Sequence, residues 1–400
     1  MKVLLVSPYP PRRDGIAVHT RHLVQHLQTM HDVEVLTQPD RGSDSGPDGS
    51  GRRQGPVVHE QLSSAPHHVV RVARSIRKID PDILHYQFAL AGLGMAGLIA
   101  IVAGRLARAK NGPRIVFTLH EVRREIRIFG PVAAALYRLI VRWADAVIVY
   151  TEEGRDLLVD HCAAGPQDIV VMPHGVAPSD PEPSSERLAE TGKRYDVAAS
   201  TLVLSFGYVH RHKGTEHLID AIAMLRSESP ELLHGVVFLM AGSVRPRRGA
   251  FRYFERKDHQ YQALLTRQVG EAGLEEWVRF VGYVPDEDVD PLFRRAAVAV
   301  CPYTDACQSG VLNLAIAAGT PCLVSDLPGL RENLRDGGLL AAPKDAAALA
   351  GGLARLLGDA GLRQRLRGKQ EETRNDMSFA SVVLRLDSLY RELAGTEAEQ

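Results

Sequence analysis

Residues 205–214, SFGYVHRHKG, close a run of β-type residues and carry Arg211 and Lys213 on a glycine-flanked turn that leads into a helix. Further along, a second strand-like run, AVAVCPY, passes into TDACQSGVLNLAIAAGTP. The first turn offers fixed positive charge. The second offers backbone N–H groups at a helix start, where the helix dipole also favours an anion. Together they suit a diphosphate, so the pair points to an activated phosphate ester. Two cations over a departing diphosphate neutralise the charge that grows on it, and such a site needs no divalent metal. His210 and His212 flank Arg211 and would hydrogen-bond phosphates when protonated. In the second turn Gln308, Ser309 and Gly310 come just ahead of the helix, within reach of phosphate or sugar oxygens. Ser309 fits equally well as a simple N-cap. The triplet Asp286-Glu287-Asp288 reads as a capped helix start and not as a metal site.

Three histidines end strand-like runs, and such positions in a parallel sheet face its ligand side. His120 closes the run 115–119, and its near-neutral pKa suits polarising a sugar hydroxyl or taking its proton. His85 ends the run 83–84 and, with Tyr86 and Gln87, would line an acceptor site. His174-Gly175 follows the run 169–172 near the junction of the two halves, where hinge and binding roles both fit. The turn PYPPRRDGIAVHT after the first strand holds a single glycine, Gly15, which allows close backbone approach. It is not the G-x-G-x-x-G of nicotinamide enzymes.

These turns need two sheets to hold them. Continuous apolar runs at 3–6, 33–36, 83–86, 115–119, 146–150 and 169–172 alternate with helical stretches in the first half. The pattern repeats at 202–206, 236–241, 278–281, 298–302 and 322–325, followed by helices at 346–357, 362–373 and 379–394. The last is amphipathic, with Phe379, Val382, Val383, Leu386, Leu389, Tyr390 and Leu393 on one face. Residues 40–55 read as an exposed mobile loop, and 177–200, rich in Pro, Ser and Glu, as the inter-domain region. The expected organisation is therefore a Rossmann-like domain over 1–178, a linker over 179–200, a second such domain over 201–375, and a final helix over 376–400. Two doubly wound sheets facing a cleft would place every motif above beyond the carboxyl ends of strands.

Bulk composition narrows the class. The chain has 400 residues and balances 48 Lys and Arg against 48 Asp and Glu, which argues against a general nucleic-acid binder. Cys162, Cys301, Cys307 and Cys322 lack metal spacing, so a reducing, cytoplasmic setting is expected. The start MKVLLVS reads as a strand rather than a signal peptide, and the apolar run 90–102 as a buried helix too short to span a bilayer. Arg71, Arg74, Arg77 and Lys78 at helical spacing, with Arg105, Arg108 and Lys110, form either a solvated face or a peripheral contact with anionic lipid at the inner face of the membrane.

At these motifs the chain resembles, nearly end to end, the family-4 (group 1) retaining glycosyltransferases of the GT-B superfamily. The matching segments are Asp14-Gly15-Ile16, the strand ending in His120, the turn 207–214, AIAAGTPCLVSDLPGLRENL, and the final helix ending SLYREL. The resemblance implies a GT-B fold whose last helix crosses back to the N-terminal domain. It implies hexosyl transfer, with retention and without metal or cofactor, from a nucleoside-diphosphate sugar to a glycan, lipid-linked or small-molecule acceptor. Arg211 and Lys213 would hold the diphosphate, Ser309 and Gly310 phosphate or sugar, Gly15 would cover the diphosphate, and His120 would contact the transferred sugar. The base would lie near residues 282–284, at Val284. Arg12, Arg13, Arg123 and Arg124 would greet an anionic or lipid-linked acceptor, and closure about the linker would exclude water. Two places depart from the family. Tyr208 stands where the family has Arg, and the paired glutamates fall at Ala306 and Leu314 beside a Q-S-G turn, leaving Asp305 and Asn313 as neighbouring polar side chains. A related epimerase or C–N coupling enzyme, or a non-catalytic sugar-nucleotide binder, fits the same cradle.

Overall fold

The computed structural model describes residues 1–12, 15–39, 55–108, 112–177, 182–246, 252–306 and 308–395. Nearly all of the expected loop at 40–55 lies outside them, as do Arg13, Asp14, Lys110 and Cys307. The chain divides into two compact units, Met1–Gly175 with Phe379–Gln400, and Val176–Ser378.

In the first unit the elements run β1 (Lys2–Val6), α1 (Gly15–Leu27), β2 (Asp32–Thr37), β3 (Val57–Glu60), α2 (Val69–Ile79), β4 (Ile83–Phe88) and α3 (Leu90–Ala107). They continue as β5 (Arg114–Leu119), α4 (Val122–Phe129), α5 (Pro131–Trp143), β6 (Ala146–Val149), α6 (Glu152–Cys162) and β7 (Ile169–Val171). The strands pair in parallel in the order β3-β2-β1-β4-β5-β6-β7. Helices cover both faces, so every residue of β4 and β6 is buried and their sequences lack polar alternation. The order reverses direction between β1 and β4, the switch point where such sheets leave room for ligands.

The second unit runs α7 (Ser185–Arg194), β8 (Thr201–Phe206), α8 (Thr215–Glu228), β9 (Val236–Ala241), α9 (Arg252–Glu271), β10 (Val278–Gly282) and α10 (Asp286–Arg295). Then come β11 (Val298–Cys301), α11 (Gly310–Ala317), β12 (Cys322–Ser325), α12 (Pro328–Leu334), β13 (Gly338–Ala341), α13 (Ala346–Gly358) and α14 (Ala360–Asp376). Its parallel sheet has the order β10-β9-β8-β11-β12-β13, with the switch point between β8 and β11. The last helix, α15 (Phe379–Ala394), belongs to the first unit and packs on α1. There the His31 ring lies 3.1 Å from Asp387, and Phe379 stacks against His22 and His26.

Residues expected as a linker behave differently: α7 docks on α10 within the second unit. The cause is Asp288, which is fully buried. It accepts from Arg187 at 2.8 Å, Arg194 at 2.5 Å and the Tyr195 hydroxyl at 3.0 Å. A carboxylate without exposure requires such pairing. The acidic triplet is thus a helix start whose third member anchors α7, and the cap position itself is Pro285. Among the described residues no helix is long and apolar enough to cross a membrane.

Candidate active site

The two turns singled out by sequence follow β8 and β11, the adjacent strands of the switch point. Their approach is close enough to dictate glycine. At Gly214 (φ 62°) an added Cβ would meet the Pro302 carbonyl oxygen at 2.0 Å. At Gly242 (φ 151°), after β9, it would meet the Gly207 oxygen at 1.9 Å. Neither backbone can give way, so side chains are excluded there. The Thr304 amide donates to the His212 carbonyl at 2.9 Å, which ties the turns together.

Side chains complete the link. The Lys213 ammonium donates to the Tyr303 hydroxyl at 2.6 Å and stands 3.9 Å from the centroid of that ring. Ser309 donates to the same oxygen at 3.1 Å, and the Cys301 thiol also hydrogen-bonds that hydroxyl. Ser309 is therefore both the expected N-cap of α11, accepting from the Leu312 amide at 3.1 Å, and a partner of Tyr303. Burial pulls the Lys213 pKa down to about 8, against an opposing pull from Cys301, while burial pushes the Cys301 thiol up. Gly207 lies beside both turns: a Cβ there would sit 3.3 Å from Val311 and 3.7 Å from the Lys213 ammonium. Gly310 is exposed, with open space where a Cβ would project.

Other candidates have different neighbours. Arg211 is exposed, its guanidinium 5.4 Å over Tyr261 of α9, whereas Lys213 turns to Tyr303. His210 and His212 bring their Nδ1 atoms to 2.5 Å, and His210 stands 3.9 Å from Asp258. Tyr208 is exposed, with Arg245 5.7 Å over its ring. Val284 packs its side chain into the core, and the neighbouring Tyr283 is exposed. Gln308 is half-buried and Asn313 is buried on α11. Of the two positions that align with the paired glutamates, Leu314 is exposed and Ala306 packs against the core. Among the described residues no three His, Cys, Asp or Glu side chains gather where they could hold a metal ion.

In the first unit His120 ends β5 as expected and is buried, its Nε2 at 2.8 Å from Gln87 Oε1. Around it stand three rings that sequence periodicity did not group. These are His19, on the second turn of α1; Tyr150, just past β6; and His174. Ring centroids are 5.5 Å apart for His19–His120, 4.4 Å for His19–His174 and 5.1 Å for His120–Tyr150. The Tyr150 hydroxyl lies 3.2 Å from His19 Nε2 and 3.4 Å from His120 Nε2. Burial lowers every imidazole pKa here: well below normal for His19 and His120, to about 3 for His85 and about 4 for His174. All four are neutral at pH 7, which suits polarisation or proton acceptance. His174 belongs to this cluster, its Nδ1 3.1 Å from the Gly175 carbonyl oxygen.

One acceptor-site expectation changes. Tyr86 faces the core and donates to the Ala100 carbonyl at 2.8 Å, because successive residues of β4 point to opposite faces. Arg123 and Arg124 are paired with Glu153 at 3.2 Å and Glu121 at 2.8 Å, and Arg12 donates to Gln38 at 2.9 Å. Gly15 opens α1 with clear space where a Cβ would stand.

Comparison with known proteins matches residues 200–359 to the family described as glycosyl transferases group 1, and residues 13–180 to glycosyltransferase family 4. A D-inositol 3-phosphate glycosyltransferase of Streptomyces scabiei is 27% identical, over 86% of this chain and 78% of that protein. A glycogen synthase of Mycobacterium tuberculosis is 26% identical, over 98% and 94%. Among solved structures, that of Anabaena Alr3699/HepE in complex with UDP superposes with a TM-score of 0.76 at 18% identity, covering 98% of this chain and 100% of the other. With both halves matched to glycosyltransferase families and both sheets wound as that fold requires, the chain is a glycosyltransferase of the GT-B type.

Proposed function

We propose that this enzyme transfers a hexosyl group from a nucleoside-diphosphate sugar, with retention at the anomeric carbon and without metal or cofactor. The observation that carries this reading is the Lys213–Tyr303–Ser309 chain across the β8/β11 switch point. A half-buried ammonium beside a helix N-terminus is built for an anion that brings two or more charges. Lys213 and Arg211 supply the fixed cations that a divalent ion would otherwise provide. Ser309 and Gly310, with Gln308 and Asn313 on the same turn and helix, serve phosphate or sugar oxygens. Tyr208, His210 and the backbone at Val284 complete the nucleotide contacts, with Tyr283 the exposed ring for a base. In the first unit His120 acts on the transferred sugar and Gly15 admits phosphate. HepE was also solved with UDP-glucose, which makes UDP the first probe. Calorimetric titration of UDP and UMP tests the reading: the diphosphate binds tighter, EDTA leaves its affinity unchanged, and Lys213→Ala removes the preference.

Ala306 and Leu314 at the carboxylate positions favour one second reading, epimerisation or C–N coupling on the same cradle. Incubation with UDP-sugar alone separates the two, since an epimerase alters the sugar without an acceptor. The acceptor is a glycan, a lipid-linked sugar or a small molecule. The exposed Arg71, Arg74, Arg77 and Lys78 on α2 support peripheral contact with anionic lipid, which vesicle co-sedimentation with and without phosphatidylserine checks. Cys162, Cys301 and Cys322 are buried free thiols, in keeping with a cytoplasmic setting.

A further inference from the structure

We infer that Arg245 is a third cation of the diphosphate site, held beside the turn after β8 by the ring of Tyr208. The inference rests on the diphosphate reading of that turn. Its basis is the way the turn after β9 is tied to the turn after β8.

Strands β8 and β9 are parallel neighbours in the second sheet, so their carboxyl ends open on the same edge. The two backbones stay together beyond the strands. The Gly207 amide donates to the Ala241 carbonyl at 2.9 Å, and the Val209 amide donates to the Ser243 carbonyl at 3.1 Å. A Cβ at Gly242 would strike the Gly207 oxygen, so the turns are in direct backbone contact. Val244 is buried, and Arg245 beside it is exposed. The Arg245 guanidinium stands 5.7 Å from the centroid of the Tyr208 ring, within the range of a cation–π contact. Such a contact uses none of the five N–H donors of a guanidinium, and among the described residues none accepts from them. Their planar fork matches two oxygens of a phosphate at once. Tyr208 follows Gly207, which lies beside the Lys213 ammonium. The β8 turn thus has a cation on either flank: Lys213 is drawn toward the β11 turn by Tyr303, and Arg245 comes from the β9 turn. An arginine already resting on a ring has less freedom to lose when an anion arrives. The local sequence agrees. Residues 242–254 include Arg245, Arg247, Arg248 and Arg252 and no Asp or Glu, in a chain whose charges balance overall. A field of one sign at the mouth of a site raises the local concentration of an anionic ligand.

The test is calorimetric titration of the full-length protein with UDP and with inorganic pyrophosphate, which carries a diphosphate and no nucleoside. Arg245→Ala is expected to weaken both by about tenfold, the scale of a hydrogen bond to a charged group. Arg226 also stands over a ring, 5.6 Å from the centroid of Trp277, but on the last turn of α8, at the opposite edge of the sheet. Arg226→Ala removes the same charge and is expected to leave both affinities unchanged. Tyr208→Ala is expected to weaken pyrophosphate by about threefold to tenfold. In the Arg245→Ala background it should add nothing, because the ring acts through the arginine. Thermal unfolding verifies that the variants fold. Unchanged binding in folded Arg245→Ala overturns the inference, and so does an equal loss in Arg226→Ala, which makes the effect one of net charge. A loss for UDP alone places Arg245 on the nucleoside and overturns it too, as do losses in Tyr208→Ala and Arg245→Ala that multiply. When the wild type prefers UDP to UMP and Arg245→Ala is silent, this inference alone falls. A wild type without that preference removes the diphosphate reading, and the inference with it.

Discussion

The ammonium of Lys213 rests 2.6 Å from the hydroxyl of Tyr303, and this one contact joins the turn after β8 to the turn after β11. Tyr303 receives Lys213 from one side and Ser309 from the other, so the cation and the N-cap of α11 are held by a common oxygen. Replacing that oxygen should loosen both. Tyr303→Phe is expected to cost about 1–3 kcal/mol of stability, the usual effect of removing a partner from a buried charged donor. It should weaken UDP binding less than Lys213→Ala does. Urea unfolding and calorimetry on the two variants check the order.

Lys213 also sets a pH dependence. Its pKa is about 8 in the folded protein, against an ordinary 10.5. Free Lys213 therefore loses its charge as pH rises past about 8, and attraction for a diphosphate goes with it. UDP affinity should fall between pH 8 and 10, and binding in that window should take up a proton. Titration at pH 8.5 in two buffers of different ionisation enthalpy measures the uptake. Lys213→Arg, which stays charged, should remove it.

Close backbone contact at the end of β8 makes a separate demand. Gly242→Ala places a Cβ 1.9 Å from the Gly207 oxygen, at a φ of 151°. The variant should lose more than about 2 kcal/mol, at the high end for one substitution, and bind UDP poorly because the Lys213 turn is displaced. Gly310→Ala, with open space around its Cβ, should leave stability nearly unchanged.

Acid should act on the first unit. His85 and His174 have folded pKa values of about 3 and about 4, below the ordinary 6.5. Between those values and 6.5 the unfolded chain binds more protons, so stability is lost as pH falls through this range. Each group contributes about 1.4 kcal/mol per pH unit. The urea midpoint should drop steeply from pH 6.5 to pH 5, and His85→Gln should flatten the slope.

Much of this was legible in the residues. Strands buried on both faces announce themselves as apolar runs, which is why β9 and β12 begin and end where the runs do. Strand β3, VVHE, is an edge strand with no apolar run and went unread. Helix α9 is polar over most of its length, and its identity comes from Tyr261, Leu265 and Val269 packing on the sheet. At the site, Lys213, Ser309 and His120 were named from local patterns alone. Tyr303, His19 and Tyr150 were not, because their partners are distant in sequence: Tyr303 meets Lys213 across 90 positions. Periodicity reports the face a residue occupies and is silent on what meets it there.

The two corners at the β8/β11 switch point are proposed to hold a single diphosphate. Calorimetric titration of UDP against UMP, on wild type and on Lys213→Ala, tests it most directly. UDP is expected to bind the wild type at least roughly tenfold tighter than UMP, about 1.4 kcal/mol, and the variant to bind both alike. Equal affinities in the wild type, or a preference that survives in Lys213→Ala, would contradict it.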